Sequence, residues 1–236
     1  MALPKINDVP KYDLTIPSTK AQIKFRPFLT KEQKVLLMAV ETQDQKQILN
    51  AIVDTIQSCV VSPFDVKTLT TFDVEYIFTQ IRAKSVGEKS NVSVKCAECE
   101  KSTPVQINLE EVNVDVPKVN MSMKLNDKYT IKLRYPKYQA MMLNEDLQDA
   151  DTMTETLYHV VTACLDSLQS EEENIKFDDE PAKEVETFLG SLTSQQFNDL
   201  MLFVQELPRL SHNVEFNCVH CKHHNTIKLQ GIQDFF

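Results

Sequence analysis

The chain has 236 residues, 42% hydrophobic and 25% charged, proportions of a globular protein with a buried core, in one large domain or two modest ones. Its formal net charge of −9 sits mainly in the second half: residues 1–116 carry 14 Lys and Arg against 15 Asp and Glu, residues 117–236 carry 11 against 19. No general basic face is available to displace counterions from nucleic acid, and no apolar run approaches the ~20 residues that span a bilayer.

The start, Met1-Ala2-Leu3-Pro4-Lys5, has no apolar signal core behind a basic flank, so a cytosolic site of synthesis is expected. Alternating apolar residues over Tyr12–Ile16 and Ala21–Phe25, separated by Pro17-Ser18-Thr19-Lys20, predict a β-hairpin. Thr30-x-x-Gln33 reads as a capping box before Val35-Leu36-Leu37-Met38. A second helix follows over about Gln45–Val60, with Ile48, Ile52, Ile56 and Cys59 at helical spacing. A third opens at Leu69-Thr70-Thr71-Phe72 and runs to about Lys84, with Val74, Ile77, Phe78 and Ile81 as its stripe. Cys96-Ala97-Glu98-Cys99 then lies between two strand-like segments, and Asn113–Pro117 reads as a link.

The same order returns. Val119–Leu125 and Tyr129–Leu133 form a second hairpin pattern across Asn126-Asp127-Lys128, and Ile131-Lys132-Leu133-Arg134 echoes Ile23-Lys24-Phe25-Arg26. Leu157–Cys164 echoes Ile52–Cys59, which places Cys59 and Cys164 at matching positions as small core residues. The segment Ser167–Glu186, with Glu171-Glu172-Glu173 and Asp178-Asp179-Glu180, reads as an inserted, solvated acidic loop; the sharper reading is a docking site for a basic partner. Thr193-x-x-Gln196 opens a helix with Phe197, Leu200, Met201, Val204 and Leu207 on one face, stopped by Pro208. Cys218-Val219-His220-Cys221 again sits between strand-like segments, displaced from the first motif by 122 residues. The expected fold is therefore α+β, two pseudo-symmetric repeats at 9–112 and 117–236, each a β-hairpin plus helices plus a Cys-x-x-Cys β-knuckle.

A two-residue gap lets both thiolates of one turn face the same ion, and tetrahedral zinc takes four ligands, so Cys96, Cys99, Cys218 and Cys221 are expected to share one structural Zn2+. Rival readings exist. Cys218 and Cys221 could join one or two of His212, His220, His223 and His224, a set with no counterpart at the first knuckle. A redox dithiol is disfavoured because neither pair opens a helix, and a structural disulfide because there is no secretory signal. A catalytic zinc would need an open position and an acid or base; Glu98 is placed for it, but its counterpart is His220. His159 falls on an amphipathic helix as a core or boundary residue. With only three glycines, Gly87, Gly190 and Gly231, no Gly-rich phosphate loop is present. No catalytic arrangement emerges.

The stretches Ile23–Phe28 and LTTFDVEYIFTQIRAKSVGE (residues 69–88), followed by Cys96-x-x-Cys99, resemble the baseplate hub proteins of T-even-like contractile-tailed phages. That family includes a hub subunit, to which the pattern is closer, and a related hub assembly factor. The resemblance implies a non-enzymatic structural or assembly role, other baseplate hub proteins as partners, no small-molecule substrate, and residence in the host cytoplasm during assembly and then in the tail baseplate. Arg26, Arg82 and Gly87 match its pattern: the arginines as ion-pair partners at strand or helix ends, Gly87 as a helix cap. A Phe235-Phe236 end offers a contact segment or packs on the chain's own core. The alternatives are a zinc-ribbon-like nucleic-acid-binding module and a thiol oxidoreductase.

Overall fold

The computed structural model describes residues 9–142 and 153–235 and is α+β. It divides into two compact units, Met1–Asp115 with Arg209–Phe236, and Val116–Pro208. The first unit opens with the expected hairpin, β1 (Tyr12–Thr15) and β2 (Gln22–Phe25). Tyr12 lies opposite Phe25 with ring centroids 5.6 Å apart.

Three helices follow: α1 (Thr30–Glu41), α2 (Gln45–Cys59) and α3 (Thr71–Val86). The cap of α1 differs from the sequence expectation. Its N-cap is Leu29, and the Glu32 carboxylate, not Gln33, accepts the Leu29 N–H at 2.8 Å. Glu32 also pairs with Arg26 at 2.9 Å, so one acid closes the helix start and neutralises a strand-end cation. At α2 the Asp44 side chain accepts the N–H groups of Lys46 and Gln47. Thr70 and Asp73 form a capping box on α3, and Gly87 caps its far end at φ +141°, a conformation that suits a residue without Cβ.

Antiparallel β3 (Lys89–Lys95) and β4 (Ser102–Asn108) form the next hairpin. The expected link after it is structured: Asn113–Asp115 is strand β5.

The second unit builds a four-stranded antiparallel sheet, β6 (Ser122–Lys124), β7 (Thr130–Leu133), β8 (Leu165–Gln169) and β9 (Asn174–Lys176) in that order. With it go α4 (Tyr138–Met142), α5 (Met153–Cys164), α6 (Ala182–Gly190) and α7 (Ser194–Gln205). The acidic segment 167–186 is thus no loop. It completes β8, supplies β9, and turns through a 3-10 segment, Phe177–Asp179, into α6. Phe177 and Val185 from this region, with Leu189 just beyond it on α6, are buried with Ile131, Val161 and Leu200, so sparse apolar residues among the charges anchor it. Glu171–Glu173 stays in the exposed β8–β9 turn. Asp178 is committed to Arg134, which grips it with two bonds of 2.6 and 2.5 Å.

The chain returns to the first unit as β10 (Arg209–Asn217) and β11 (His224–Gln230), giving a sheet of order β11-β10-β5. The second knuckle hairpin therefore belongs to the same compact unit as the first. A terminal 3-10 turn, Ile232–Phe235, closes the core: Phe235 is fully buried and its carbonyl accepts the Ser90 hydroxyl at 2.9 Å. Burying such a ring is worth ~1.5–3 kcal/mol. Phe235 is thus core and not an exposed contact; Phe236 lies outside the described residues.

Candidate metal centre

The two knuckles share one strand register and one turn pattern. In the first hairpin Val94 pairs with Thr103 and Lys95 with Ser102; in the second Phe216 pairs with Asn225 and Asn217 with His224. Cys96 N–H donates to Lys101 O (3.1 Å) and Glu100 N–H to Cys96 O (3.0 Å). The counterparts are Cys218 N–H to His223 O (2.9 Å) and Lys222 N–H to Cys218 O (3.0 Å). Glu100 and Lys222 hold φ of 57° and 64°, a left-handed conformation costing non-glycine residues ~1 kcal/mol or more. Alternation along each strand turns the apolar side chains, Val94 and Ile107 or Val214 and Leu229, into the shared core. The loop ends carry the sulfurs.

Those sulfurs converge. The Sγ atoms of Cys96, Cys99, Cys218 and Cys221 all lie within 4.8 Å of one another. Cys96 is 3.6 Å from Cys221, and Cys99 is 3.6 Å from Cys218. Tetrahedral ligation at the ~2.3 Å of a zinc–thiolate bond puts sulfurs about 3.8 Å apart, so the donor set fits one small ion that accepts four sulfurs. Both of these approaches cross from one hairpin to the other, and either knuckle alone offers two donors.

The hairpins also support each other's ligands. Thr103 Oγ1 donates to Cys218 Sγ (3.6 Å) and accepts the Val219 N–H (3.4 Å). Asn225 Nδ2 donates to Cys96 Sγ (3.5 Å), and its Oδ1 accepts the Ala97 N–H (2.9 Å). Both side chains are buried, at 2% and 3% exposure. Thr103 and Asn225 occupy the same place in the two hairpins, so the support is reciprocal. Sequence reasoning missed both residues. The available signal was a polar side chain at an alternating position that should face the core, in both motifs.

The electrostatics favour a bound cation. Backbone N–H groups of Cys99 and Glu98, with Asn225, hold the Cys96 thiol below its ordinary range. The N–H groups of Cys221 and His220, with Thr103, bring Cys218 down to about 5. The His223 N–H favours a thiolate at Cys221, but partial desolvation and hydrogen bonds with the Cys99, Cys218 and Cys96 sulfurs, which favour the protonated thiol, push it up to about 12. Cys218 is thus prepared as a thiolate and Cys96 is shifted in that direction, while Cys221 resists joining them. A cation at the centre removes that conflict by attracting all four negative sulfurs.

Of the expected rivals, the histidines do not join: among the described residues the cluster holds the four cysteines only. His220, His223 and His224 are exposed, with His224 Nδ1 3.2 Å from Asn217 Oδ1. Glu98 is also exposed. Neither cysteine pair opens a helix. Cys59 and Cys164 end α2 and α5, where burial pushes their thiols up to about 11 and about 12, the property of inert core sulfurs.

The family model described as T4 bacteriophage base plate protein matches residues 9–236. The baseplate hub assembly protein gp26 of Enterobacteria phage T4 is 25% identical over 230 residues, covering 96% of this chain and 97% of that protein. No solved structure matches the chain.

Proposed function

We infer the function from one premise: the chain belongs to the T4 bacteriophage base plate protein family. It serves phage baseplate hub assembly through protein–protein contacts, as the name of its similar protein from phage T4 indicates for that protein. The observation that carries this reading is a family match along nearly the whole chain. The assigned setting is the host cytoplasm, among other hub proteins, followed by the tail baseplate. The test is a phage carrying a nonsense mutation in this gene. Baseplate hubs should fail to form and be restored by the protein supplied in trans. Infectious tails at normal yield without it would refute the role.

We further propose that Cys96, Cys99, Cys218 and Cys221 hold one structural Zn2+. Zinc is favoured because the set is four sulfurs at about tetrahedral spacing, with donors aimed at Cys96 and Cys218. When bound, the ion would supply four thiolate bonds between two hairpins far apart in sequence. Metal affinity then adds directly to folding free energy.

We also propose that the chain arose by internal duplication, in repeats near 9–112 and 117–236. Supporting this are the equal registers and turns of the two knuckle hairpins. A second correspondence is internal to each unit. Arg26 N–H donates to Cys59 O at 2.9 Å, and Arg134 N–H donates to Cys164 O at 2.8 Å. The guanidinium groups then reach the preceding carbonyls, Ser58 O at 3.0 Å and Ala163 O at 3.3 Å. A strand-end arginine that closes a helix end beside a buried cysteine thus occurs twice.

A further inference from the structure

The first knuckle hairpin has one blunted edge and one open edge. Cys96 N–H donates to Lys101 O and Leu109 N–H donates to Glu88 O, which fixes the alternation along the hairpin. Even-numbered residues of β3 turn their backbone groups to β4, while Lys89, Asn91, Ser93 and Lys95 turn theirs away. On β4 the outward-turned set includes Pro104, opposite Ser93, which has no N–H and blunts that edge. β3 pairs with β4 alone, and among the described residues nothing bonds the outward N–H groups of Asn91, Ser93 and Lys95. This edge, from Asn91 to Lys95, is one wall of an open groove of about 510 Å³. The other wall is β11, the edge strand of its own sheet. Val92, Val94, Ile227 and Leu229 give the groove an apolar lining. The terminal 3-10 turn packs against both walls: Ser90 hydroxyl donates to Phe235 O, and Asp234 accepts the Gln230 N–H at 2.8 Å.

We propose that this groove takes an extended segment of a partner protein, added to β3 as a further strand, with apolar and acidic side chains alternating along it. A row of unpaired backbone donors and acceptors is met by an extended chain; a helix pairs its backbone within itself and leaves them unmet. Side chains of an added strand alternate between two faces. One set falls on the side of Val92 and Val94, toward Ile227 and Leu229, and calls for apolar residues. The other set falls on the exposed side, level with Lys89 and Lys95. The neighbours of these lysines across the hairpin, Asn108 and Ser102, carry no charge, so carboxylates on the incoming strand supply the opposite charges. Asp234, the one carboxylate of the lining, is held by the Gln230 N–H. The lysines also disfavour a second copy of this chain. The antiparallel twofold register that engages all four outward residues of β3 sets Lys89 of each copy opposite Lys95 of the other. The proposal stands on the β3 edge and is independent of both the metal centre and the family assignment.

The test uses the full chain and two dye-labelled peptides of about nine residues with valine at alternate positions. One carries Glu at the intervening positions, the other Lys, and binding is followed by fluorescence anisotropy at low salt. The Glu peptide should bind at least about tenfold more tightly than the Lys peptide. At saturation the N–H groups of Asn91 and Ser93 should exchange with solvent about tenfold more slowly or less, while those of Val92 and Val94, already bonded to β4, change little. Ser93→Pro removes an outward N–H at a position not bonded to β4 and should weaken the Glu peptide about tenfold. Circular dichroism and Tm check its fold; if it misfolds, the exchange measurement on the parent chain decides. Lys89→Glu should narrow the difference between the peptides. Equal binding of both peptides, unchanged exchange at Asn91 and Ser93 in the saturated sample, or no binding by about 1 mM overturns the proposal. So does a dimer in sedimentation that Ser93→Pro dissolves.

Discussion

Thr103 and Asn225 would support the proposed metal centre without touching the ion. Each gives one hydrogen bond to a sulfur and takes one from the backbone of the opposite knuckle. Thr103→Val keeps the shape but removes both bonds, the one to Cys218 Sγ and the one from the Val219 N–H. We expect zinc affinity to fall ~10–100-fold, measured by competition with a chromophoric chelator, and Thr103→Ser to restore most of it. A second residue-scale prediction concerns Asp178, whose carboxyl the bonded Arg134 guanidinium holds below the usual carboxylate range. A lowered folded pKa stabilises above the unfolded value and is lost as the pH falls through the folded one. The pair is partly solvated, so ~0.5–1 kcal/mol is the expected contribution. Urea midpoints of the parent and Asp178→Asn should differ by a constant amount from pH 7 to 5 and converge below pH 4; a gap that persists to pH 3 would show that the ion pair is not its source.

At the scale of elements, what the sequence discloses depends on how many residues state the same thing. Helix α3 was legible because a cap, an apolar stripe and a terminal Gly87 agree over Thr71–Val86. The knuckles were legible because alternation and two cysteines recur at one spacing. Strands β8 and β9 and helix α6 were not, since they are short and charged, and their burial rests on isolated residues such as Phe177, Val185 and Leu189. A local pattern cannot show that such residues meet a sheet formed elsewhere. Strand β5 failed for the same reason: three residues become a strand only because β10 returns to pair with them. At α1 the right kind of cap was read on the wrong pair, because Glu32 bonds the Leu29 N–H and Arg26 together. The cap of α7 gives a clean check. Thr193 and Gln196 exchange bonds at its start, exposed to solvent, so Thr193→Ala should cost about 1 kcal/mol, read as a lowered urea midpoint with unchanged slope. No change in midpoint would mean that tertiary packing alone sets this helix start.

For the whole molecule, the consequence of the proposed metal centre is topological. Residues 96–99 and 218–221 are separated by the entire second unit in sequence, yet their hairpins share one core and one cluster of sulfurs. The sequence pointed to the four cysteines that the structure brings together across a long separation. It did not disclose that the second hairpin joins the first unit through β5, because that rests on strand pairing between distant segments. The clasp we propose would hold the two hairpins on one scaffold. The most direct measurement is the zinc content of the purified full chain and of two double variants, Cys96→Ser with Cys99→Ser and Cys218→Ser with Cys221→Ser. Our account predicts one zinc per parent chain and none in either variant, since each knuckle supplies only half the ligands. Zinc retained by the first double variant, through Cys218, Cys221 and nearby histidines, or a parent chain free of metal with all four thiols reactive, would contradict it.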